Sequence, residues 1–147
     1  MTNARFYTDT QEQLLLAATP GQGTITFEEG AVLNANEQSV VLWLLKHLGG
    51  DILILTKVNK DRIRTADLLW RNGLVDIKHV TGNLSSLDKS IQYAMRQTNQ
   101  NGVIVDITLA TFSNEEAISK AAQRLSRSRG NFVLLIRKEV LVAYLSR

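Results

Sequence analysis

The 147 residues predict an α/β domain, a central mixed β-sheet with helices on its faces. Three observations carry this expectation. Apolar runs of strand length alternate with amphipathic stretches of helical period, in the order helix, three strands, helix, strand, helix, two strands. The runs at residues 51–58 and 102–109 are almost continuously apolar, as in strands buried on both faces. Between the strand-like runs 67–71 and 74–80 stands Asn72-Gly73, a pair suited to a tight hairpin because both residues tolerate positive φ.

Residues 1–33 read as an extension or junction ahead of a domain spanning 34–147, since the segment is too short to enclose its own core. Within it, residues 11–18 have the pattern of a short helix, residues 19–23 (TPGQG) break it, and residues 24–27 suit a strand. The first long helix is expected over 35–48, opened by Asn34 and closed by Gly49-Gly50, with Val41, Leu44, Leu45 and Leu48 as its apolar stripe. Glu37 lies on that stripe, three residues after Asn34. That spacing is a capping box, so capping and a functional role both stand open for this acid. A second helix is expected over 86–99, burying Leu87, Ile91, Ala94 and Met95. A third opens on the capping box Ser113–Glu116 and turns Ile118, Ala121, Ala122 and Leu125 inward. Its outer stripe, Lys120, Arg124 and Arg127, has the composition of a solvated face. Strands over 131–137 and 140–145 close the chain around Lys138-Glu139.

With Asn72-Gly73 as a two-residue loop, Leu69 faces Asp76 and Asp67 faces Lys78. Leu68, Trp70, Val75 and Ile77 then share one face of the hairpin, and Asp67, Asp76 and Lys78 the other. Two carboxylates and an ammonium thus gather within roughly 5–8 Å. Two carboxylates on adjacent strands suit Mg²⁺ or another divalent metal, since Mg²⁺ takes few carboxylates and keeps several waters. Glu37 would complete the metal shell, and Lys78 would orient the attacking water or stabilise the charged transition state. The same residues also admit a plain ion pair between Asp67 and Lys78, which if exposed is worth under about 1 kcal/mol.

Composition narrows the field. There are no cysteines and only two histidines, so disulfides and thiolate metal sites are excluded and a histidine-rich zinc site is disfavoured. No run reaches the roughly 18 apolar residues of a membrane span. The charge is +3 and unevenly spread: residues 1–37 carry one base against five acids, residues 113–147 seven bases against three acids. The loop 57–64 contributes Lys57, Lys60, Arg62 and Arg64 beside the hairpin, candidates for binding backbone phosphates.

Glu37, Asp67 and Asp76-Ile77-Lys78, in the order helix, strand, next strand, resemble the PD-(D/E)xK nuclease superfamily, whose restriction-endonuclease-like core of order αβββαβ is similar to residues 35–109 here. A closer resemblance is to the C-terminal tRNase toxin domains of contact-dependent growth inhibition proteins of the CdiA type. It rests on Gly49-Gly50-Asp51, Thr65-Ala66-Asp67, Trp70, Asp76-Ile77-Lys78, Gly82-Asn83 and Val103-Ile104-Val105-Asp106. Two departures stand out: Ala66 where the family has Pro, and His79-Val80 where it has Ser-Pro. The resemblance implies a metal-dependent endonuclease cutting RNA, most of all tRNA, with Asp67, Asp76 and Glu37 on the metal and Lys78 assisting attack. It also implies a cognate immunity protein as partner, and delivery as part of a secreted or surface protein into a target cell's cytoplasm. A DNA endonuclease of the same fold is the alternative within the class, and a non-catalytic nucleic-acid-binding or interaction domain the alternative outside it.

Overall fold

The computed structural model describes residues 13–57, 66–96 and 100–146. Seven strands form one sheet whose spatial order is the chain order. They are β1 (Ile25–Phe27), β2 (Ile52–Ile54), β3 (Leu68–Trp70), β4 (Gly73–His79), β5 (Gln100–Asp106), β6 (Phe132–Arg137) and β7 (Val140–Ser146). Three helices, α1 (Ala35–His47), α2 (Leu84–Met95) and α3 (Asn114–Ser126), connect them. The sheet is mixed, as predicted: β1–β2, β4–β5 and β5–β6 pair parallel, and β2–β3, β3–β4 and β6–β7 antiparallel. Each parallel pair needs a crossover, and α1, α2 and α3 supply them.

Strand periodicity sends alternate residues of the buried strands to opposite faces, and two cores result. Val103, Val105, Val133 and Leu135 pack with α2 and α3 on one side. Ile104, Leu134, Ile136, Val75, Ile77, Leu68 and Trp70 pack with α1 on the other. Part of the segment 1–33 belongs to this second core. Leu14, in a helical turn over 13–16, is buried there, and β1 extends the sheet beside β2.

The helices start where their caps dictate. Asn34 and Glu37 form a full capping box at α1, as do Ser113 and Glu116 at α3, and the Asn83 side chain caps α2. α1 buries Val40 and Trp43 as well as Val41 and Leu44, so its apolar face is wider than the expected stripe. The reason is at the far end of the sheet, where the Trp43 indole Nε1 donates to the Glu139 carbonyl in the β6–β7 turn at 2.8 Å. On α3 the expected solvated stripe is partly engaged. The Arg124 guanidinium clasps Asp88 of α2 through two bonds of 2.9 Å and holds that carboxyl below the usual range. The strand expected over 51–58 is cut to β2, and α2 begins two residues earlier and ends sooner than expected.

The hairpin differs from its expected register. Trp70 pairs with Gly73, Leu69 with Leu74 and Leu68 with Val75, so the turn residues are Arg71 and Asn72. Both take positive φ, 51° and 62°, the signature of a type I′ turn. Gly73 is needed for a different reason. It lies in β4, and a Cβ there would collide with the Asn101 side chain on the neighbouring β5. Arg71 can occupy the strained turn because it is held from two sides. Its guanidinium stacks 4.5 Å from the Trp70 ring and donates to the Leu48 carbonyl at 3.2 Å. Gly73→Ala should therefore cost about 1–3 kcal/mol through overpacking. A denaturant melt reads this as a lower midpoint with an unchanged slope; an unshifted midpoint would show that Asn101 yields freely.

Candidate active site

The shifted register rearranges the polar face of the hairpin. Continuing the pairing one step past Leu68 and Val75 sets Asp67 against Asp76, not against Lys78 as expected. Asp67 lies just before β3 and is fixed by its neighbours. Its backbone carbonyl accepts from the Leu55 N–H at 3.0 Å, and its Oδ2 accepts from the Ile77 N–H at 2.7 Å. The Asp76 carboxyl beside it helps to raise its pKa. Both acids are buried, at 6% and 4% exposure, so Asp76 is not the exposed hairpin residue that alternation alone would make it. The covering comes from the flanking elements: β4 is an interior strand of the sheet, beside β5.

Among the described residues, two ammonium groups attend the pair. Lys78 Nζ lies 3.1 Å from Asp76 Oδ2, with about a quarter of the lysine side chain exposed. Lys57, expected on the phosphate-binding loop, turns inward instead. Its Nζ is 2.7 Å from Glu37 Oε2 and 3.3 Å from Asp67 Oδ1. Glu37 caps the helix and also reaches the cluster. Oε1 accepts from the Asn34 N–H at 3.0 Å to close the capping box, which leaves Oε2 for the cluster. Lys60, Arg62 and Arg64 lie outside the described residues.

Among the described residues, the cluster gathers the carboxyls of Glu37, Asp67 and Asp76 with the ammoniums of Lys57 and Lys78. The Asp67 carboxyl is pushed up to about 7, first by burial, then by its hydrogen bond to Asp76 and by that group's charge; the Ile77 N–H and Lys57 pull the other way. The sign of the pH dependence follows. Unfolded, Asp67 titrates near 3.8, so between there and about 7 the folded chain holds a proton that the unfolded chain has lost. Stability contributed by that proton is complete below about pH 4 and is lost as pH rises to about 7, amounting to a few kcal/mol at most. Chemical denaturation of wild type and Asp67→Asn from pH 4 to 8 checks this. The wild type should lose stability across that window relative to the variant, and parallel curves would assign the proton elsewhere.

Whether these groups suit a divalent cation is decided by the donor set. Glu37 and Asp67 already converge on one cation, the Lys57 ammonium, and Asp67 and Asp76 approach closely enough to share a proton. Among the described residues, however, no three His, Asp or Glu side chains meet as a ready-made metal nest. Mg²⁺ commonly takes two carboxylates and completes its shell with water, so Asp67 and Asp76 are the residues that would have to hold one.

Two residues with a place beside this cluster went unassigned in the sequence. His79 and Asp106 end β4 and β5 and pair across the parallel ladder. With Asn34, Asn36, Glu37 and Lys78 they line a recess of ≈ 100 Å³. The signal available was a polar residue ending each of two apolar strands, LVDIKH and GVIVD.

No protein-family model matches the chain, and no curated protein does. Among solved structures the fold recurs in a toxin and immunity assembly. The match is to a chain of the CdiA-CT/CdiI toxin and immunity complex from Burkholderia pseudomallei, with a TM-score of 0.54 and 10% identity, covering 85% of this chain and 100% of that one. At that identity the likeness is one of fold. No helix among the described residues is long and apolar enough to cross a membrane.

Proposed function

We propose that the chain is a metal-dependent nuclease domain of the PD-(D/E)xK kind that hydrolyses phosphodiester bonds in RNA, tRNA foremost, as the toxin portion of a delivered protein. The observation that carries this reading is the buried Asp67–Asp76 pair with the Lys78 ammonium 3.1 Å from Asp76. A purely structural site gains little from two touching carboxyls, which repel once both are ionised. Asp67 and Asp76, with Glu37 beside them, would hold Mg²⁺, which when bound acidifies a water and offsets charge on the phosphate oxygens. The chain's own groups do the rest. Ile77 N–H fixes the orientation of Asp67, and Lys78 presents its charge to the phosphate. Lys57, whose side chain is half exposed, gives up its place between Glu37 and Asp67 and turns to the substrate backbone.

The structural neighbour is part of a toxin and immunity complex, and a cognate immunity protein that covers this cluster is the partner we propose for this chain. Loop residues Lys60 and Arg62 supply further phosphate contacts. Replacing both with Ala should flatten the slope of log affinity against log salt by about one to two units, and an unchanged slope would move the binding surface to Lys120 and Arg127. The decisive experiment incubates the protein with total RNA, purified tRNA and plasmid DNA, with Mg²⁺ and with chelator. Metal-dependent loss of tRNA is the expected result, loss of plasmid alone would make it a DNase, and neither would reject the nuclease reading.

A further inference from the structure

The recess over Glu37 and Lys78 continues into a larger groove. Asn36, Val40, His79 and Asp106 line both, and the groove adds ≈ 310 Å³ between α1 and the C-terminal ends of β4, β5 and β6. Open α/β sheets bind ligands outside these carboxyl ends of parallel strands. Here the lining is apolar along Val40 and Ile136, and the Trp43 ring beside them is locked by its bond to the Glu139 carbonyl.

Polar groups converge at one end. Asp106 Oδ1 accepts from the Thr108 N–H at 2.9 Å and from the Thr108 hydroxyl, which itself accepts from the Lys138 N–H at 2.9 Å. This chain fixes the carboxylate with Oδ2 turned to His79 Nδ1, 3.5 Å away. Nδ1 is enclosed, and among the described residues it has no hydrogen-bond partner. Leaving such an atom unsatisfied is costly, and a small rotation of the ring would close the gap.

We propose that this groove is a nucleoside-binding subsite, holding the base and sugar of the nucleotide next to the phosphate engaged by Asp67, Asp76 and Lys78; it deepens the nuclease reading and rests on it. The volume lies at the lower end of the roughly 300–1,000 Å³ of small-molecule sites, which suits one nucleoside and not a longer segment. The apolar wall accepts the flat face of a base. From α1, the exposed Asn36 side chain offers a donor and an acceptor to its edge, and the Ser39 hydroxyl, whose hydrogen goes to the Ala35 carbonyl, offers an acceptor. With Asp106 beside its Nδ1, His79 meets the bound nucleoside through the other ring nitrogen, at a polar group of the sugar or the base edge. A group bound there draws the ring into register with Asp106 and satisfies Nδ1 at the same moment.

The test uses free adenosine, cytidine, guanosine and uridine, which lack phosphate and so report on the groove and not on the carboxylate cluster. Each is titrated into the full chain while backbone amide shifts are followed by NMR, for wild type, Ser39→Trp and His79→Ala. Ser39 is exposed on α1, and a Trp there fills the groove from the surface without entering the core. The expected result is saturable shifts at α1 and the ends of β4–β6 with at least one nucleoside, weakened about tenfold or more in both variants. No saturable shift with any nucleoside would overturn the proposal, whatever the protein does to RNA, and would leave the groove to a protein partner. Shifts that both folded variants reproduce at wild-type affinity would overturn it as well. Nucleoside binding at the groove by a protein that cuts neither RNA nor DNA would uphold the subsite and reject the nuclease reading.

Discussion

Asp76→Asn should lower single-turnover cleavage of tRNA by about 10²–10³ or more while the protein keeps its cooperative melt. The amide has the size of the carboxyl it replaces, so the buried space beside β5 stays filled. It can also donate to Asp67, which keeps the contact between the two side chains. What disappears is one negative charge, and with it a ligand for the metal and the partner of Lys78 at 3.1 Å. Relief of the like-charge contact should bring the Asp67 carboxyl back towards the ordinary range, so stability near pH 7 should hold or rise. Near-wild-type turnover in this variant would remove Asp76 from the chemistry. A lost melt would assign it a structural role instead.

Lys78→Met should cost a similar factor, 10²–10³ in kcat or about 3–4 kcal/mol, with substrate binding little changed. Methionine retains most of the aliphatic stem, and the ammonium it removes is partly solvated, so strand packing should survive. If Lys78 were only the ion-pair partner of Asp76, its loss would leave a buried carboxylate without that cation, costing up to about 3–5 kcal/mol of stability and leaving the rate of the folded protein alone. Lys78→Arg is the sharper control, because a guanidinium keeps the charge but not its compact placement, and it too should be impaired. Single-turnover rates at saturating enzyme, beside a denaturant melt of each variant, separate the cases. Wild-type turnover in Lys78→Met would make the Asp-x-Lys spacing a coincidence.

Local features of the sequence were enough for the helices and for the sheet's mixed character. Asn34 with Glu37, and Ser113 with Glu116, announce their helix starts because capping is settled within four residues. The hairpin's faces were legible for the same reason. Its register was not. Asn72-Gly73 and Arg71-Asn72 both make acceptable turns, and the choice is made by Asn101, a residue of another strand that leaves room only for a glycine. That one-residue move of the turn brings Asp67 to Asp76 and so creates the strongest electrostatic feature of the site. Lys57 illustrates a second limit. A basic loop residue reads as a phosphate contact, and the sequence does not show that its ammonium also pairs with two carboxylates, Glu37 of α1 and Asp67 just before β3. His79 and Asp106 lie 27 positions apart, and only the parallel alignment of β4 with β5 makes them neighbours.

The agreement between spatial order and chain order has a consequence for how the sheet assembles. Among the described residues, each of β2 to β6 pairs with the strand before it and the strand after it, with β1 and β7 at the edges, so none of these strands has to be inserted between two already in place. A chain emerging N-terminus first, from a ribosome or from a pore, completes its sheet by adding one edge at a time. Each new strand meets a template already formed, and the loop to be closed never exceeds one crossover. Short closures carry a low entropic cost and favour rapid folding, because non-local pairing is what slows β-rich chains. The segments that build the carboxylate cluster, Glu37 to Lys78, would be in place before β5 arrives to bury them, and the groove at His79 would open only when β6 and its turn had docked against Trp43.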